Sequence, residues 1–298
     1  MRKRNWRNYN KELVQRGSLT FLIEPKLLSK LKNKRLRNKR GRPEILSDRL
    51  IELLLVMKIH FKLAYRALEG FAKWAVDHMK KGLRIPTFSL ICKRAKALGK
   101  KLPMLSSKRP AVILLDSSGI KVLGEGEWKV KIHGRGRPRK WLKLHIAVDA
   151  NSQEIVGELL TTAHVADSAV VGALLSQTSK SVKLVIADGA YDRTQARNAI
   201  KSRNARALIP PPRNARYRGT NSQRDQAVLD ISSLGGDLVG RSLWGKLSGY
   251  SQRALVETAF SRYKRLFSDR FFSKTPERQL IENRLKCCLL NKMRRQTE

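Results

Sequence analysis

Acidic residues are scarce in this chain of 298: 24 Asp plus Glu stand against 63 Lys plus Arg, a formal charge of +39. The bases run from Arg2 to Arg295 rather than filling one tail. Such a surplus repels itself unless a polyanion is the ordinary partner. Nucleic acid is the first candidate and an anionic membrane surface the second. Long apolar runs are also missing. Stretches such as Leu53 to Met57 are far too short to span a bilayer. The basic start M-R-K-R-N-W has no apolar segment behind it, so no signal peptide is expected. Cysteine is rare, at positions 92, 287 and 288 only. An odd count with two adjacent members forms neither a disulfide framework nor a C-x-x-C zinc pattern. These absences predict a reduced, cytoplasmic protein with no membrane segment and no structural metal. What is present is enough to fold: apolar residues make up 41% of the chain, which excludes wholesale disorder.

The N-terminal third reads as helical and basic. Residues 30–43 form a basic linker ending in R-G-R-P. Ser47 is placed to cap a helix from Asp48, whose Leu50, Leu53, Leu54, Met57 and Phe61 recur at helical spacing. A second helix is expected over Leu63–Ala75. A third follows Pro86, capped by Thr87, with Lys93 and Arg94 on its polar side. Three short helices ending in a basic one suggest a helix-turn-helix-like DNA-binding region over residues 1–105. An ordinary helical bundle with charged faces fits the same pattern.

From Ala111 the pattern changes to strands. A-V-I-L-L-D, W-L-K-L-H-I-A-V-D and E-I-V-G-E-L-L-T read as an antiparallel meander. A helix over Ala166–Gln177, the strand V-K-L-V-I-A-D, a helix near Thr194–Ser202 and the short strand A-L-I-P follow. Three strands, helix, strand, helix, strand and further helices is the order of the ribonuclease H-like fold. The expectation for residues 106–298 is therefore an α/β domain, a mixed sheet flanked by helices, with its first and fourth strands adjacent and parallel. Open sheets of this kind bind ligands at the carboxyl ends of strands where the order switches.

Two acids lie at such ends. Asp116 closes Val112–Leu115 and Asp188 closes Leu184–Ala187. Neighbouring strands bring the two carboxylates together, and like charges at close quarters need a cation between them. Oxygen ligands without His or Cys favour magnesium or manganese over zinc. A third carboxylate from a helix over the sheet completes a two-metal site for phosphodiester chemistry. Glu257 is the candidate. Tyr250, Arg253, Glu257 and Lys264 sit at offsets of three, seven and fourteen, which fall on one stripe of a helix. Val256, Ala259, Phe260, Tyr263 and Phe267 form the neighbouring apolar stripe that seats this helix on the sheet. Asp149 and Asp192 are rival acids, for which a turn or cap role suffices. Asp167 is expected to cap the helix that follows it. Cys287 and Cys288 fall in an apolar helix and are expected in a core.

These residues carry a resemblance. The chain resembles the DDE transposases of bacterial insertion sequences, in the branch marked by a Y-x2-R-x3-E-x6-K signature, which Tyr250, Arg253, Glu257 and Lys264 match at every spacing. D-S-S-G-I-K-V at 116–122 and D-G-A-Y-D at 188–192 are similar to the family's first and second Asp motifs. N-Y-N-K-E-L-V-Q-R-G-S-L near the N-terminus looks like the insertion sequence five group. The resemblance implies that Asp116, Asp188 and Glu257 are a catalytic triad holding two magnesium or manganese ions. It implies that Tyr250, Arg253 and Lys264 hold phosphates of the element's end. The DNA partners it implies are double-stranded terminal inverted repeats and target DNA, and joining two ends to one target suggests a homodimer on DNA. The sequence leaves about forty-five residues between Leu208-Ile209-Pro210 and Glu257, no room for the large β-rich insertion of some relatives.

R-G-R-P occurs at Arg40–Pro43 and again at Arg135–Pro138. Arg40, Arg42, Arg135 and Arg137 are candidates for minor-groove or nonspecific phosphate contacts. Two other readings stay open on sequence: a noncatalytic DNA-binding regulator descended from such an enzyme, and a metal-dependent nuclease that cuts without joining.

Overall fold

The structure is a computed structural model and describes residues 46–78, 84–98, 109–122, 141–220 and 222–295, with positions 6, 7, 10 and 14 near the N-terminus. Arg40, Arg42, Arg135 and Arg137, with both R-G-R-P sequences, lie outside the described residues. The chain divides into two compact units: residues 1–103 together with 272–298, and residues 104–271. The sheet domain expected over 106–298 thus closes at Phe271, and the C-terminal helix joins the helical unit.

In the helical unit, α1 spans Asp48–His60. The Ser47 hydroxyl accepts from the Leu50 amide at 3.2 Å, satisfying one of the helix's free N–H groups. Leu50, Ile51, Leu54, Leu55, Met57 and Ile59 are buried; of the expected stripe, Leu53 is half-buried and Phe61 is the exposed C-cap. Lys62 has a positive φ of 54°, which breaks the helical path, so α2 starts at Tyr65 rather than Leu63 and runs to His78. Glu69 on α2 accepts from the Phe88 amide at 2.6 Å and so caps α3, Phe88–Leu98, alongside Thr87. The last helix, α9 (Pro276–Arg295), packs against α1 and α3. Its Cys287 is buried and Cys288 half-buried. Among the described residues no helix is long and apolar enough to cross a membrane.

The second unit is built on a six-stranded mixed sheet. β1 (Val112–Val122), β2 (Trp141–Asp149) and β3 (Ile155–Thr162) run antiparallel, joined between β2 and β3 by a turn in which Asp149 accepts from Ser152. β4 (Leu184–Ile186) pairs parallel with β1, and β5 (Arg206–Leu208) parallel with β4. The order is β3-β2-β1-β4-β5, the expected ribonuclease H-like arrangement. A two-residue strand, β6 (Arg270–Phe271), pairs parallel with the far end of β1. β2 lines one side of β1 throughout. On the other side, β4 pairs only as far as Leu114 and β6 begins at Lys121. Among the described residues the stretch Leu115–Ile120 between them has no strand partner on that side, so the sheet is notched beside Asp116.

Helices cover both faces. The helix expected over Ala166–Gln177 is a 3-10 turn, Asp167–Val170, followed by α4, Val171–Ser176. With α5 (Thr194–Lys201) it packs on Ile113, Leu115 and Ala147 in a core that also takes in Tyr191. After β5 come α6 (Gln223–Ser233), α7 (Leu238–Leu247) and α8 (Ala254–Phe267). α8 packs on β1, and all five residues of its expected apolar stripe, Val256, Ala259, Phe260, Tyr263 and Phe267, are buried.

Candidate active site

Period-two alternation along β1 puts Asp116 and Ser118 on one face and Leu115 and Ser117 on the other. The Asp116 carboxylate points into the notch, where it accepts from the Ser117 amide at 2.9 Å. Asp188 follows β4 by two residues and starts a 3-10 turn, accepting from the Ala190 amide at 3.0 Å. Glu257 lies in the first turn of α8.

Tyr250 and Arg253 are not on that helix. They occupy a separate 3-10 turn, Tyr250–Arg253, which precedes α8. Gly249 (φ 79°) takes the left-handed conformation that ends α7 and aims this turn back at the sheet. The single straight stripe expected from Tyr250 to Lys264 is therefore broken at Ala254. Its residues still converge, because the turn and the helix both face the notch.

The Arg253 guanidinium is the meeting point. Nη1 lies 2.7 Å from Glu257 Oε1, while Nη2 lies 3.4 Å from Asp116 Oδ2 and 3.8 Å from Asp188 Oδ2. Three carboxylates from three separate elements thus surround one cation. Burial pushes the Asp116 carboxyl above its ordinary pKa; the Ser117 amide and Arg253 oppose that shift, and Asp188 and Glu257 add to it. Burial likewise raises the Tyr250 phenol. Its ring lies 5.8 Å from that of Trp244 on α7. Lys264 donates to Ser118 at 2.6 Å, two residues along β1 from Asp116.

Among the described residues no three His, Cys, Asp or Glu side chains are gathered closely enough to share one ion in this conformation. The donor set nevertheless suits a hard divalent cation. It is all oxygen, and it carries three carboxylates against one guanidinium, with Asp188 and Glu257 adding to the burial that raises the Asp116 carboxyl.

The rival acids have other partners. Asp149 holds the β2–β3 turn, and Asp192 is pinned between Arg197 at 2.7 Å and Arg224 at 3.1 Å. Asp167 makes no helix cap: its carboxylate lies 3.3 Å from both Lys143 Nζ and His145 Nδ1, because β2 presents those side chains to it. Tyr191 is a packing residue, buried with its hydroxyl unbonded to any described group. In the helical unit Lys93 is exposed, whereas Arg94 donates to the Leu46 carbonyl at 2.5 Å and to Asp48 at 2.6 Å. Sequence reasoning missed Ser118, which period two from Asp116 points to, and Trp244, for which the sequence carries no such signal.

Two family models, both described as "Transposase DDE domain", match the chain, one over residues 107–292 and the other over residues 14–125. A solved structure similar to the chain is the cryo-EM structure of a piggyBac transposase synaptic complex with hairpin DNA. It is 9% identical, with 92% of this chain and 73% of that chain covered, at a TM-score of 0.39. That overlap is too loose to bear on residue roles.

Proposed function

The chain belongs to the DDE-domain transposases, and on that premise we propose that it binds the terminal inverted repeats of an insertion sequence, cleaves DNA at the element's ends and joins the freed 3′-hydroxyl to target DNA. One observation supports this reading above the rest: Asp116, Asp188 and Glu257, from a strand, a strand end and a helix, converge on one cation at the sheet notch.

In this proposal the three carboxylates hold two magnesium or manganese ions. When bound, such ions lower the pKa of the attacking water or 3′-hydroxyl and steady the leaving oxygen. The protein's own part is placement. β1 and β4 are parallel and paired as far as Leu114 and Ile186, which brings Asp116 and Asp188, each two residues further on, to the same edge. The buried stripe of α8 holds Glu257 opposite them. Tyr250, Arg253 and Lys264 carry the donors for phosphate oxygens, and guanidinium suits that task because its planar fork matches two oxygens at once. Both steps are in-line displacements at phosphorus, so no covalent intermediate on Ser or Tyr is required. The exposed Lys93 and the four arginines at 40, 42, 135 and 137 add phosphate contacts in this scheme. Arg94 is assigned instead to the internal bonds it makes.

The test is an in vitro cleavage and joining assay on a plasmid carrying the gene's own flanking DNA, with magnesium or manganese, and Glu257→Gln alongside. Cutting at defined ends with joined products, both lost in the variant, is the expected result. Cutting without joining would replace transposase by nuclease. Binding without cutting by either folded protein would favour a regulator.

A further inference from the structure

We propose that α7 is a self-association surface, pairing antiparallel with α7 of a second copy of this chain about a two-fold axis near Leu243. Leu238, Val239, Leu243 and Leu247 are 65%, 64%, 41% and 77% exposed, while Gly240 and Trp244, on the next row of the helix, are buried. Val239, Leu243 and Leu247 follow one another at four-residue steps and so form a single ridge. The three aliphatics of that ridge lie side by side and so form one patch rather than scattered exposure; Leu238 lies off it.

The surroundings argue for protein rather than nucleic acid as the occupant. In a chain with 63 bases, residues 225–240 contain no Lys or Arg, and of their three Asp only Asp225 is buried; Arg241, on α7 itself, donates to the Pro211 carbonyl. Lys246 is the single exposed base on α7, so a DNA backbone gains little from this face. The charges on α7 itself argue for a second copy. Asp237 caps its N-terminus and Lys246 lies in its last turn. An antiparallel pair about Leu243 sets Val239 against Leu247 of the partner subunit, and brings the acidic end of each helix to the basic end of the other. The helix dipoles run antiparallel as well. A surface that complements itself in both shape and charge is what a two-fold interface requires. The inference rests on the proposed reaction to the extent that joining two DNA ends calls for two active sites. The ridge offers far fewer residues than the roughly 20–30 a side of a standard interface. Association is therefore expected to be weak in free protein, and stronger where DNA holds two copies together.

The test needs no DNA. Sedimentation velocity of the full chain is run at about 0.5 M salt, where the self-repulsion of a +39 molecule is screened, and at concentrations up to about 100 μM. Leu243→Glu and Leu247→Glu are run in parallel, with circular dichroism melting to confirm that each folds. Leu243→Cys is oxidised under mild conditions beside Lys201→Cys, an exposed control on α5. Support is a concentration-dependent dimer that each Glu variant weakens at least about tenfold, together with a disulfide-linked dimer of Leu243→Cys that forms faster than that of the control. The proposal is overturned by a monomer at every concentration, by a dimer indifferent to both Glu variants, or by linkage no faster than in the control. Association is read without cleavage, so this surface and the proposed reaction stand or fall separately.

Discussion

Lys264 Nζ donates to Ser118 Oγ at 2.6 Å, joining residues 146 positions apart across the candidate site. The bond pins the third turn of α8 to β1 and so sets where Glu257, seven residues earlier on the same helix, meets Asp116. It also holds the ammonium at the edge of the notch, within reach of anything that lies over the carboxylates.

The two partners of that bond separate by experiment. Lys264→Ala is expected to weaken DNA binding across sequences and to lower the slope of log K against log salt by about one. Ser118→Ala is expected to leave that slope unchanged and to cost about 1 kcal/mol of stability. Anisotropy titrations over a salt series, with denaturant melts of both variants, make the comparison.

Asp116→Asn is expected to abolish cleavage, by at least about 10³-fold, without lowering the melting temperature of the metal-free protein. The sign follows from the raised carboxyl. An acid whose pKa is higher folded than unfolded opposes folding when ionised, so at neutral pH a neutral amide removes a cost. A clear loss of stability in the variant, measured calorimetrically without divalent ions, would contradict this account of the site.

Arg253→Gln leaves three carboxylates without their shared counter-charge. Metal-free protein is expected to lose about 1–3 kcal/mol, since Asp116 is largely buried. Manganese should bind the variant more tightly than the parent, by about tenfold, because no guanidinium competes for the same oxygens. Electron paramagnetic resonance of free manganese during titration reads this without any catalysis.

Lys93 and Arg94 are adjacent but differ in their bonds. Arg94→Ala is expected to destabilise the helical unit by about 1–3 kcal/mol, through loss of charge-assisted bonds to Leu46 and Asp48. Lys93→Ala is expected to leave melting unchanged within about 0.5 kcal/mol while weakening DNA affinity. Equal melting of the two variants would remove the structural role assigned to Arg94.

His145 is fully buried, faces Thr161 at 2.9 Å, and has Asp167 and Lys143 as its charged neighbours. Burial pushes its pKa down to about 4 from an ordinary 6.5; Asp167 opposes the shift and Lys143 adds to it. The unfolded chain therefore binds more protons between those values. The stability His145 contributes is present above pH 6.5 and is lost as pH falls toward 4, at no more than about 1.4 kcal/mol per pH unit. His145→Gln is expected to flatten that part of the stability curve, as measured by urea unfolding at stepped pH.

Local signals carried much of the sheet and the site. Apolar runs ahead of Asp116 and Asp188 located both acids on the sheet, because period and hydrophobicity are properties of a few adjacent residues; the expected strand end at Asp116 is not found, since β1 pairs on through it to Val122, whereas Asp188 does follow the end of β4. The seating stripe on α8 was legible for the same reason. The 3-10 turn over Tyr250–Arg253 was not, since the spacing is equally consistent with one unbroken helix. Asp167 was read as a cap because capping is local, whereas its partners His145 and Lys143 come from a strand some twenty residues earlier. The C-terminal helix carried no sign of which unit it would join.

Sequence by itself determined the family, the order of strands and helices, the basic surplus that demands a polyanion, and which two acids follow apolar strand runs. These follow from composition, short-range periodicity and a spaced signature. Tertiary structure alone decided that the sheet is notched beside Asp116, that one guanidinium gathers three carboxylates, that Lys264 reaches Ser118, and that α7 bares its aliphatic ridge. Each of those depends on segments far apart in the chain meeting at a common surface, and no local propensity records where such segments will meet.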